Sequence, residues 1–194
     1  QIKEVVEASI IDIGENKVQE ALAKYNYLRT CELTNSRTIK WHMVGHLQAN
    51  KVKEAVKIFD LIHSVDTLRL AVEIDKQAAK INKIQHILIE VKTSPEATKF
   101  GLEPDSVAEV IREISRLKNI KINGLMTIAP LVDNPEKTRS YFRMLKRLRD
   151  SINELRVTSY ELRILSMGMT DDYEIAVEEG STMVRLGRAI FEGQ

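Results

Sequence analysis

The sequence predicts a closed (β/α)8 barrel. Three observations carry that expectation: β-rich apolar runs alternate with helical stretches from end to end, no break in composition interrupts them, and no Gly-x-Gly-x-x-Gly follows any predicted strand. Alternation at this spacing means βα units around a parallel sheet. A long unbroken succession of such units favours a closed barrel over an open doubly wound sheet. The missing glycine pattern removes the dinucleotide-binding reading.

Each element has its own signal. The opening QIKEVVEAS reads as a helix already under way, with Ile2, Val5 and Val6 on one face. Seven runs then read as strands: 10–14, 39–45, 60–66, 85–92, 121–129, 161–168 and 182–187. Between the first two, Val18, Leu22 and Tyr25 share a helical face; VKEAVKIF forms a short helix before the third strand. The next helix lines up Leu68, Ala71, Val72, Asp75 and Ala78, with Asp66 as the expected N-cap. The helix entered through Pro104 repeats Val107, Val110, Ile111, Ile114 and Leu117; the one after Pro135 repeats Phe142, Leu145, Leu148 and Ile152. The last long helical signal, DDYEIAVEEG, carries acids at its start and Gly180 as a stop. A barrel of this class needs eight strands. The expectation is therefore that one strand lies upstream of Gln1, and that the gap it leaves falls between the strands at 10–14 and 182–187.

Composition narrows the function. A chain of 194 residues that is 43% hydrophobic fills one core, so residues 1–194 read as a single domain. Its 29 basic and 28 acidic residues nearly cancel, to a net charge of +1, and give no reason to expect nucleic acid or an anionic membrane as a partner. Apolar runs of five or six residues fall far short of the ~20 a membrane helix needs, and no signal peptide is evident. The single cysteine, Cys31, fits a reducing, cytoplasmic compartment and reads as an ordinary thiol. His42, His46, His63 and His86 are scattered without metal-ligand spacing. One barrel with no evident extra interface element is expected to be a monomer.

Chemistry in such a barrel gathers at the C-terminal ends of the strands, and phosphate is often held by the last two loops. Here those loops begin Ser166-Met167-Gly168-Met169-Thr170 and Leu186-Gly187-Arg188. Glycine lets backbone N–H groups approach an anion, and a helix start adds partial positive charge. An anion is expected between Ser166 with Met167 and the Gly187-Arg188 turn. Arg185 lies in an apolar strand two residues before that turn, and period-two alternation can point it into the barrel mouth. A guanidinium there needs an acceptor, either an acid such as Glu15 or an atom of a ligand. Asp171 and Asp172 read as helix caps rather than catalytic acids. The Ser94–Gly101 stretch reads as an exposed loop, with a lid as the alternative.

Several ordered motifs carry a resemblance: GENKVQE (14–20), WHMVGHLQANKVK (41–53), HSVD (63–66), ILIEVKTSPEATKFGL (87–102), GLMTIAP (124–130) and LSMGMTDDYEIAVEEGSTMVRLGRAIF (165–191). Together they resemble the pyridoxal phosphate-binding homeostasis proteins, single-domain barrels of the alanine racemase N-terminal type. The resemblance implies pyridoxal 5'-phosphate as the cofactor, its phosphate at the turns of Ser166, Met167, Gly187 and Arg188. It also implies Arg185 facing the pyridine nitrogen and Asn16 near the cofactor. The family's Schiff-base lysine ends the first strand, so it is expected upstream of Gln1. Lys17 and Lys40 are expected to face solvent. The resemblance implies binding, storage and hand-over of the cofactor without committed catalysis. An amino-acid racemase-like enzyme is the alternative, and an unrelated phosphate-binding barrel a third reading. The racemases draw a second acid/base from an appended domain, and because none follows Gln194 in this sequence, the enzyme reading is expected to be the weaker one.

Overall fold

The computed structural model describes residues 2–30, 39–94 and 100–192. Helix α1 (Ile2–Glu7) buries Val5 and Val6. Then strands and helices alternate: β1 (Asp12–Glu15), α2 (Val18–Thr30), β2 (Lys40–Met43), α3 (Val52–Ile58), β3 (Leu61–Val65), α4 (Leu68–Ala79), β4 (Gln85–Glu90), α5 (Val107–Ile114), β5 (Ile120–Met126), α6 (Arg139–Glu154), β6 (Ile164–Met169), α7 (Tyr173–Glu178), β7 (Met183–Arg185) and α8 (Arg188–Phe191). All seven predicted strands are present, most of them trimmed by one to three residues at an end. Cys31 and residues 95–99 of the predicted loop lie outside the described residues.

The seven strands form one sheet in the order β1-β2-β3-β4-β5-β6-β7, every neighbouring pair parallel. Each strand thus pairs with its sequence neighbour, as short right-handed βα crossovers dictate, and the sheet curls into a nearly closed barrel. Among the described strands, the two with one neighbour are β1 and β7, where the sequence reading places the gap.

The core has two layers. The larger lies between sheet and helices, where Ile62, Ile87, Ile89, Ile122, Leu125 and Leu165 meet Ala55, Ala71, Val107, Ile111 and Phe142. The smaller comprises Leu61, Leu88 and Met126, with Ile128, Ile164 and Met183 against them. It contains no helical residue, so it lies on the inner face of the barrel. Period two along each strand then assigns the rest of that face: His63 follows Leu61, Glu90 follows Leu88, Ser166 follows Ile164 and Arg185 follows Met183. On these strands the inner face thus passes from an apolar layer to polar side chains nearer the C-terminal mouth.

Local chemistry sets the helix starts. Thr67, not Asp66, caps α4: its hydroxyl accepts from the Leu70 N–H at 3.2 Å. Asp66 turns instead towards His46, 3.4 Å away. Helices α5 and α6 begin one turn later than the sequence predicts, because proline opens a 3-10 turn first, at Pro104–Ser106 and Pro135–Thr138. No helix of the described residues is long and apolar enough to cross a membrane.

Candidate functional site at the barrel mouth

Arg185 is the centre of the mouth. Strand β7 presents it on the inner face, where Nη1 donates to Ser166 Oγ at 2.9 Å and Nη2 to the Thr127 carbonyl at 2.9 Å. Glu15, the acid considered as its partner, instead accepts from Lys24 at 2.7 Å. Burial pulls the Arg185 pKa down to about 10, against the attraction of Asp172 and Glu90, so the group stays cationic at neutral pH. Its Nε is buried without a hydrogen-bond partner among the described residues. A buried N–H of a cation in that state is costly unless another acceptor meets it.

Acids ring the same space. Glu90 ends β4 on the inner face, 5% exposed. Burial first, and Asp66 second, push its carboxyl up to about 7, with Arg185 opposing. Beside it, the Thr127 hydroxyl donates to the Val91 carbonyl at 2.8 Å and contacts the Thr93 hydroxyl at 2.9 Å, tying the ends of β4 and β5. His46, after β2, stacks on Phe100 with ring centroids 3.7 Å apart.

The two turns after β6 and β7 meet, as their sequences led us to expect. Asp171 pairs with Arg188, and the Ala189 N–H reaches Thr170 Oγ1 at 3.5 Å. Asp172 closes the first turn rather than capping α7, its carboxylate accepting from the Met169 N–H at 2.6 Å. Gly168 makes that turn possible: its φ is +93°, and a Cβ there would lie 2.5 Å from the Ala176 Cβ. Gly187 differs. Its φ is −120°, and a Cβ built on it would meet no described atom within 4 Å. Neither a positive φ nor packing demands glycine at 187, so the small residue leaves open space beside the turn.

The remaining predicted residues separate. Ser166 is fully buried and its hydroxyl is already engaged, with Arg185 and, at 3.0 Å, with His63 Nδ1. The Met167 side chain points the other way, into the core beneath the helices, while its carbonyl accepts from the Ser181 hydroxyl at 2.8 Å. Asn16 is exposed just beyond β1, its backbone packed against Gly45. Lys17 and Lys40 are both exposed, Lys17 pairing with Glu20. Among the described residues, no cluster of His, Cys, Asp and Glu could hold a metal.

The sequence reading did not single out Thr170, Glu90, His42 or His63 as site residues. Thr170 was visible as the second hydroxyl of its turn. The others were visible as ionisable residues inside strands that are otherwise apolar, a place where each must find a partner.

The chain has known counterparts. Residues 1–194 match the model of the alanine racemase N-terminal domain. A pyridoxal phosphate homeostasis protein of Aquifex aeolicus (strain VF5) is 45% identical over 190 residues, covering 98% of this chain and 80% of that protein. One from Synechocystis sp. (strain ATCC 27184 / PCC 6803 / Kazusa) is 40% identical over 184 residues, covering 95% and 81%. PipY of Synechococcus elongatus PCC7942, solved with PLP bound, superposes with a TM-score of 0.88 at 36% identity, covering 98% of this chain and 85% of that one. The chain belongs to the alanine racemase N-terminal domain family, among its pyridoxal phosphate homeostasis proteins.

Proposed function

We propose that this chain binds pyridoxal 5'-phosphate in the barrel mouth and takes part in intracellular homeostasis of the cofactor, by binding, storage and hand-over, without committed catalysis. One observation carries the reading above the rest: a buried guanidinium on the inner face, fixed by Ser166 and the Thr127 carbonyl, whose Nε has no partner among the described residues. The residues present fit the cofactor. Arg185 suits the aromatic nitrogen, which accepts a hydrogen bond and takes no proton from a guanidinium. Gly187 and the Arg188 backbone flank open space that suits a phosphate. Thr170, beside the Ala189 N–H, supplies the hydroxyl of the phosphate cradle. Ser166 serves it from behind by holding Arg185, and Met167 contributes backbone only. Asn16 stands at the rim beyond β1.

When bound, the cofactor supplies an electron sink for amino groups. Arg185 limits that chemistry, because a ring nitrogen facing a guanidinium stays unprotonated and withdraws electrons weakly. The protein's own work is then to orient the ring and grip the phosphate. Lys17 and Lys40 are not the attachment point. We further read the chain as one domain, a monomer and a cytoplasmic protein. One sheet runs through every described strand, and a single cysteine suits a reducing compartment.

The full-length protein should show a visible absorption band on adding pyridoxal 5'-phosphate. Borohydride trapping and peptide mapping should find the cofactor on a lysine other than Lys17 or Lys40. L-alanine in deuterated water should gain no α-deuterium beyond the rate with free cofactor. Absence of the band would remove the binding reading, while rapid exchange would put the racemase-like enzyme in its place.

A further inference from the structure

Two buried histidines stand behind Arg185, and together they join it to the far end of the inner face. Ser166 Oγ lies 3.0 Å from His63 Nδ1, His63 Nε2 lies 3.0 Å from His42 Nδ1, and His42 Nε2 lies 3.1 Å from Asp12 Oδ1. His63 and Ser166 are 1% and 0% exposed, so water does not compete for the bonds these two make, while the chain ends at Asp12, whose side chain is half exposed. The two ends fix the direction. A guanidinium only donates and a carboxylate only accepts. His42 Nε2 must therefore carry the proton given to Asp12, which leaves its Nδ1 as an acceptor. His63 then donates from Nε2 and accepts at Nδ1. Ser166 gives its one proton to His63 and keeps its lone pairs for Arg185. Every donor along this chain, from Arg185 Nη1 to His42 Nε2, then finds one acceptor with both rings neutral. That state agrees with burial, which lowers both histidines from their ordinary pKa, His63 the more so beside His42 and Arg185.

The consequence concerns Ser166. A hydroxyl in a buried site can rotate, and if its proton pointed at the guanidinium it would repel Arg185 instead of holding it. His63 removes that option by taking the proton. We propose that His63 is a positioning residue for Arg185, acting through Ser166, and that His42 and Asp12 fix the ring on which this depends. The inference rests on the cofactor reading given above, since it is towards the cofactor's ring nitrogen that Arg185 is positioned. His63 touches no cofactor atom in this scheme; it sets the orientation of a group that does.

Two measurements test it, and the first needs no cofactor. Nitrogen-15 spectra of the full-length apo protein at pH 7 should show His42 and His63 neutral with the proton on Nε2 in both. A proton on Nδ1 of His63 would overturn the proposal, whatever the protein binds. The second compares two substitutions. In His63→Asn the amide oxygen falls where Nδ1 lies and can accept from Ser166; in His63→Leu nothing can. The asparagine variant should bind pyridoxal 5'-phosphate within about threefold of wild type with an unmoved absorption band. The leucine variant should lose about tenfold or more, the scale set by one lost buried partner, with its band displaced. Ser166→Ala should match the leucine variant, and the double variant should lose no more than either. Equal behaviour of the asparagine and leucine variants would reduce His63 to a packing residue. If wild type binds no cofactor, the functional reading falls, and the tautomer result still decides the hydrogen-bond chain.

Discussion

Glu90 shows how one side chain reports on the whole mouth. Its ordinary pKa of 4.5 rises to about 7 because burial and Asp66 outweigh Arg185. A carboxyl with a raised folded-state value holds its proton longer in the folded than in the unfolded chain. Stability at this site is thus fullest below about pH 4.5 and declines as pH climbs to about 7. At about 1.4 kcal/mol per unit, the full shift sets an upper bound of ~3 kcal/mol. Glu90→Gln keeps the shape and removes the titration. Urea midpoints should leave the variant close to wild type at about pH 4 and give it an advantage of up to ~3 kcal/mol at about pH 8. An unchanged difference between the two pH values would mean that Glu90 is ionised throughout. Arg185 was legible in the sequence because a cation in an alternating apolar strand has one of two faces to choose. Its partners were not. Ser166, the Thr127 carbonyl and the two histidines come from four other strands, and their meeting depends on barrel stagger, which no local pattern records.

At the level of elements, the strands were legible because each is a short apolar run between helical periods. The helix starts were less so. Asp66 and Thr67 are both good caps by residue type, and only the path of the chain decided for Thr67. Proline at the entry to α5 and α6 signalled the start but not the 3-10 turn that delays the helix. The turns after β6 and β7 carry a sharper lesson, since two glycines that look alike in sequence do different work. Gly168 is needed by conformation and packing, so Gly168→Ala should cost ~2 kcal/mol or more, from the left-handed backbone and the overlap with Ala176. Gly187 faces open space. Gly187→Val should shift the apo melting temperature far less than Gly168→Ala does, yet weaken pyridoxal 5'-phosphate about tenfold or more by filling the phosphate's approach. Thermal melts and cofactor titrations of the pair decide the matter. Unchanged affinity in Gly187→Val would move the phosphate away from that turn.

The whole molecule follows from the order of its strands. Sequential parallel pairing from β1 to β7 means that every described strand but two has a neighbour on both sides. That order was legible, because right-handed βα crossovers of this length leave a strand little choice but to join its predecessor. The edges were legible for the same reason, as the first and last strands in sequence. Their state is a physical problem: β1 and β7 each carry a row of backbone donors and acceptors along one side, and the inner face between them holds Asp12 at one edge and Arg185 at the other. Unpaired edges of this kind template pairing with other chains. A polypeptide limited to these 194 residues should therefore bind a hydrophobic dye in buffer, melt broadly and scatter light on heating. A sharp, reversible, concentration-independent melt without dye binding would show that β1 and β7 protect themselves. The measurement also bears on the site, because the hydrogen-bond chain from Arg185 to Asp12 spans the barrel from one edge strand to the other. Loosening either edge should disturb both ends of that chain, so a protein that melts broadly should also lose the single Nε2-protonated state of His63.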